Sequence, residues 1–141
     1  MEYNINSNNL IEKAKEEIAH EAARRYSNDG VLLYDSIWPT SKDEPVLEKA
    51  LLDTVNDLMT SIRLANVNKT DTIISFYLPE LDSNMESSVS ESINRFIVLG
   101  ICQRWFSLTD ETLSNIYIKR CAEAKRIMVD MLYTRKKVKR I

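Results

Sequence analysis

Few residues in this chain are of the types that carry out chemistry, and their spacing leaves little for them to do. His20 is the single histidine, and "HEAAR" places Arg24 where a two-histidine zinc helix needs its second ligand. Cys102 and Cys121 stand 19 positions apart with no second pair, which makes neither a disulfide framework nor a thiolate zinc set. Cys102 also lies in the most apolar stretch of the chain, where a thiolate is costly. Carboxylates cluster in "KEEIAHE", "SKDEPVLE" and "LPELDSNME". Each cluster falls at a helix start or on a solvent face, where acids are favoured without any catalytic role. Two isolated glycines, Gly30 and Gly100, rule out a phosphate-cradling loop, and no serine is flanked as a hydrolase nucleophile would be. Asn68-Lys69-Thr70 has the form of a glycosylation acceptor, but "MEYNINSNNL" lacks the basic and apolar regions of a secretory signal. The expectation is a protein that is not an enzyme and has no metal or cofactor.

The remaining chemistry is cationic and aromatic. The chain ends "MLYTRKKVKRI", with Arg135, Lys136, Lys137, Lys139 and Arg140 among its last seven residues. The whole chain carries 19 basic and 21 acidic groups, so residues 1–134 hold 14 and 21, a net of −7. An acidic body with a basic tip is not the broad basic face of a dedicated DNA binder. It is an asymmetry able to orient the molecule on a partner. Trp105-Phe106 forms an aromatic pair at a helix end, suited to packing at a joint.

The elements that must position these residues are helical. With 141 residues, 2 glycines and 3 prolines, one domain of long helices is expected. Residues 1–9 are polar and read as a loose end. From Leu10 to about Tyr26, Ile11, Ala14, Ile18 and Ala22 recur at helical spacing, and "SNDG" ends the run. "VLLYDSIWP" reads as a connector that buries Leu33, Ile37 and Trp38. A second helix starts near Asp43-Glu44-Pro45 with Leu47, Leu51, Thr54, Val55, Leu58, Ile62 and Ala65 inward, and "NVNKTD" ends it. Residues 72–78 alternate and read as one short extended segment with no obvious second strand.

A third helix begins near Ser87–Ser90, with Ser88 and Glu91 as a capping box. Its run "FIVLGIC" is apolar nearly all round and marks the central, most buried helix, yet at seven residues is too short to span a bilayer. Thr109 is the expected N-cap of a fourth helix, from about Asp110 to Lys136, with Leu113, Tyr117, Cys121, Ala124 and Met128 inward. The fold class is therefore mainly α: a four-helix bundle-like domain over 10–136, with a long C-terminal helix and a basic tip at 137–141.

From about residue 70 onward this layout resembles small phage and prophage virion proteins of the head–tail connector (adaptor, neck) type. The extended "TIISFYLPE" leads to a buried helix ending "CQRWF", the joint "SLTD" follows, and a helix with Tyr117, Ala122 and Ala124 finishes "MLYTRKKVKR". The resemblance implies a non-enzymatic protein of the virion neck, assembled in the host cytoplasm. Its partners would be further copies of itself in a ring, portal and tail proteins, and DNA that passes without specific recognition. The basic tip of Arg135, Lys136, Lys137, Lys139 and Arg140 would then dock on another protein or line part of the ring, and Trp105 is a further candidate docking residue. Alternatives are a tail-completion or other minor virion protein, and a small helical nucleic-acid-binding or regulatory protein that uses the basic tail.

Overall fold

The computed structural model describes residues 2–22, 39, 41–62, 65–69, 73–77 and 86–138. The chain is mainly helical and packs as a bundle. Strand β1 (Glu2–Asn6) runs directly into helix α1 (Ser7–Ala22). A single 3-10 turn, Ser41–Asp43, opens α2 (Glu44–Ile62), with Pro45 at its second position, where no intrahelical N–H bond is lost. Strands β2 (Ala65–Lys69) and β3 (Ile73–Tyr77) follow, then α3 (Glu86–Thr109) and α4 (Glu111–Val138).

α3 is the centre of the bundle and packs against α1, α2 and α4. Every residue from Phe96 to Cys102 is buried, so the run that lacks a polar face has none because neighbours cover it on all sides. α1 contributes Leu10, Ile11, Ala14 and Ile18 to this core, and α2 contributes Leu47, Leu51, Val55 and Leu58. α4 adds Leu113, Tyr117 and Met128, with Cys121 and Ala124 partly buried beside them. Fully burying one such aliphatic side chain stabilises the fold by about 1.5–3 kcal/mol.

Gly100 faces α2 at a point where the helices nearly touch. A Cβ built there would lie 2.4 Å from Thr54 Cγ2 and 2.7 Å from Thr54 Oγ1. Thr54 is fully buried; its hydroxyl donates to the Ala50 carbonyl at 2.7 Å and accepts from Arg104 Nη1 at 3.0 Å. Arg104 also reaches Asp57 at 2.6 Å, so one guanidinium braces α3 to α2.

Four local expectations are corrected. Residues 1–9 are not a loose end: Glu2–Asn6 pairs antiparallel with β3, Glu2 opposite Tyr77 and Asn6 opposite Ile73, and α1 starts at Ser7. β2 lies on the other side of β3, with a register irregularity between Ala65 and Asn68, so both neighbours of β3 come from this chain. Part of "NVNKTD" is therefore strand. Backbone pairing satisfies the N–H and C=O groups that a lone strand would leave open, and the alternation in "EYNIN" (Tyr3, Ile5) and "ANVNK" (Ala65, Val67) is too short and too asparagine-rich to announce a strand by itself. Ser88 does not cap α3, because the helix is already under way at Glu86. The connector at residues 31–38 and the turn at "SNDG" lie outside the described residues; Pro39 is buried.

The fourth correction is the joint between α3 and α4. Thr109 still belongs to α3, and its hydroxyl donates back to the Trp105 carbonyl at 3.2 Å. Asp110 alone separates the helices and serves both. Its N–H donates to the Phe106 carbonyl at 2.8 Å, while its Oδ1 accepts from the Leu113 N–H at 3.2 Å. Asp110 is thus the N-cap of α4. Asp110→Ala should lower stability by about 1 kcal/mol, and Thr109→Ala by less. Urea denaturation of the two variants checks the assignment; equal costs would reverse it.

Candidate docking surfaces of the bundle

Among the described residues, the two thiols are buried or half-buried and the one histidine lies on the surface. The Cys102 thiol is fully buried and donates to the Ala14 carbonyl at 3.6 Å; burial pushes its pKa well above the ordinary thiol range. Partial burial likewise pushes up that of Cys121. Both are free thiols. His20 is exposed. Among the described residues no three His, Cys, Asp or Glu side chains are grouped closely enough to hold a metal ion, and no helix is long and apolar enough to cross a membrane.

Polar side chains brace the helices to one another. Glu17 of α1 accepts from both Arg95 terminal nitrogens, at 2.9 and 3.3 Å, and from the Tyr117 hydroxyl at 3.2 Å. That one carboxylate holds α1 to α3 and α4 together. The Tyr117 ring meets Phe106 at 5.0 Å between centroids, and the Arg120 guanidinium sits over it at 4.9 Å. Arg120 also approaches Glu21 at 3.6 Å. Burial, followed by the charge of Glu17, holds the Tyr117 phenol above its ordinary range. Lys15 pairs with Glu44 across α1 and α2, and that hydrogen bond raises the lysine pKa. A charge network this well satisfied fixes geometry and leaves no free acid or base at its centre.

Trp105 is a core residue, only 6% exposed, which corrects its expected role as a docking anchor. It is buried because α3 is covered by α2 on one side and α4 on the other, so both members of the Trp105-Phe106 pair find apolar neighbours. It does line a shallow groove of about 230 Å³ with Val46, Ala50 and Leu108. Leu108 is the most exposed apolar side chain there, at 69%, with Val46 at 38%. Sequence reading passed over Leu108, since one leucine at a helix end carries no periodic signal.

The basic residues expected to dock are divided by the structure. Arg135, Lys136 and Lys137 occupy the last turn of α4, whereas Lys139 and Arg140 lie outside the described residues. α3 has 24 residues and α4 has 28, and they run antiparallel from a one-residue joint. α4 also carries three exposed isoleucines, Ile116, Ile118 and Ile127. No known protein family, curated protein or solved structure matches this chain.

Proposed function

We propose that the protein is a non-enzymatic structural component of a phage or prophage neck, joining the portal vertex to the tail as a homo-oligomeric ring. The observation that carries this reading is the cationic end of the 28-residue helix α4, in a chain whose residues 1–134 are net −7. Charge of one sign at the end of a stiff element favours oriented attachment to another subunit. The acidic body suits a channel wall, because a lumen that gripped phosphates would slow DNA passage. The sequence resemblance to head–tail connectors supplies the setting.

Replacing Lys136, Lys137, Lys139 and Arg140 by serine should leave the helical circular dichroism and the melting temperature nearly unchanged. The same variant should lose binding to the portal protein encoded by the same phage or prophage, measured by light scattering of the mixture. Unchanged assembly would reduce the tip to a solvated helix end. The reading of the tail as a nucleic-acid arm makes a different prediction. Five engaged cations would give a logarithmic salt slope of roughly −4 to −5 for duplex DNA binding. Absence of binding at low salt removes that reading.

A further inference from the structure

The outward edge of α4 carries a pattern whose isoleucines none of the contacts described so far uses. Ile116, Arg120, Glu123 and Ile127 follow one another at spacings of four, three and four, which places them on one narrow stripe of the helix. The stripe lies about a quarter turn from the core-facing residues Leu113, Tyr117 and Met128. Ile116 and Ile127 are 38% and 42% exposed, and Arg120 and Glu123 have side chains 47% and 58% exposed. Read forwards the order is apolar, cation, anion, apolar. Read backwards it is apolar, anion, cation, apolar.

That order is complementary to itself in one orientation only. We propose that the free protein forms a two-fold dimer by antiparallel pairing of α4, with Ile116 against the second copy's Ile127 and Arg120 against its Glu123. The two-fold repeats each contact, so four residues per chain give two isoleucine pairs at the ends and two ion pairs between them. A parallel in-register pairing would set Arg120 on Arg120 and Glu123 on Glu123, and like charges oppose it. The isoleucines supply the attraction and the charges select direction and register.

The internal partners of the two charges do not prevent the exchange. Glu123 pairs with Arg126 at 2.5 Å, but Arg126 also holds Asp130 at 3.0 Å and keeps that partner if Glu123 turns outward. Arg120 is held by Glu21 only at 3.6 Å, and its stacking on Tyr117 leaves its outer edge available. One layer further out, exposed Thr112 would face half-buried Met131. The inference concerns the free protein and does not depend on a place in the neck.

Sedimentation equilibrium of the wild-type chain over a wide concentration range tests it, with circular dichroism as the fold control. The expected species are monomer and dimer. Arg120→Glu alone and Glu123→Arg alone should each weaken the dimer by on the order of tenfold or more. The double variant should recover most of the affinity, because the reversed charges again meet their opposites. Ile116→Glu should abolish the dimer. A strict monomer at every concentration overturns the proposal. So does a dimer indifferent to the single charge reversals, or one that the double reversal fails to restore. Loss of portal binding in the tail variants has no bearing on these outcomes.

Discussion

Gly100→Ala should destabilise the protein by about 1–3 kcal/mol, although alanine is the better helix former by about 1 kcal/mol. The cause is the approach of α2. The new methyl would fall within 2.4 Å of Thr54 Cγ2 and 2.7 Å of its Oγ1, well inside contact distance. Thr54 cannot turn aside cheaply. It is β-branched and fully buried, and rotation would break its bond to the Ala50 carbonyl and release Arg104. The helices must therefore part, which loosens the packing of Leu51, Val55 and Leu58 against α3. Thr54→Ala provides the control. It removes both clashing atoms and leaves only Cβ, 3.1 Å away. The double variant should be more stable than the sum of the two single losses, a coupling read from urea midpoints at constant m-value. A Gly100→Ala protein as stable as wild type would mean that the close contact of α2 and α3 does not exist in solution.

That contact also marks the limit of what the sequence discloses. All four helices are legible because their apolar residues recur at three and four, and the unbroken run from Phe96 to Cys102 identifies the central one. A glycine inside a helix costs about as much as a weak cap, so Gly100 signals close approach to something. Nothing local says that Thr54 is what approaches. The same holds for Glu17, whose partners Arg95 and Tyr117 are 78 and 100 residues away. Long-range polar braces have no spacing to betray them. The outer strands were hidden for another reason: "EYNIN" and "ANVNK" alternate over only five residues each, and asparagine, which strands disfavour, fills two positions in each.

The candidate surfaces divide the same way. Charge at the C-terminus is plain from composition, and the structure carries α4 through Arg135, Lys136 and Lys137 to Val138. Trp105 reads from sequence both as packing at a joint and as a docking residue, and its burial among the core residues favours the first. The self-complementary stripe is present in the sequence as "I…R..E…I". Its signal is weaker than the inward stripe on the same helix, which dominates any periodic reading. A residue's exposure is a property of the assembled bundle, and function at a surface depends on exposure.

Alkaline conditions should unfold the protein in two stages, a consequence of burying acidic protons. Cys102 and Tyr117 are fully buried, and each is held above its ordinary pKa chiefly by loss of solvent. In the unfolded chain a thiol ionises near about 8.5 and a phenol near about 10. Below those values folded and unfolded chains bind the same protons and the contribution to stability is complete. Above about 8.5 the unfolded chain releases the Cys102 proton while the folded chain keeps it, so stability falls by about 1.4 kcal/mol per pH unit. Above about 10 Tyr117 doubles the slope. By pH 11 the loss is on the order of 5 kcal/mol, comparable with the whole stability of a small domain. Cys121 and Lys15, both shifted upward, act in the same direction. Urea midpoints between pH 8 and pH 11 should trace this curve. Cys102→Ala should flatten its first stage, and Tyr117→Phe should flatten only the second. The Phe variant keeps the ring against Phe106 and leaves Glu17 its two bonds from Arg95, so its cost at neutral pH should be about 0.5–1.5 kcal/mol. If the Tyr117→Phe protein loses stability above pH 10 as steeply as the wild type, the phenol is not the group that the fold holds neutral.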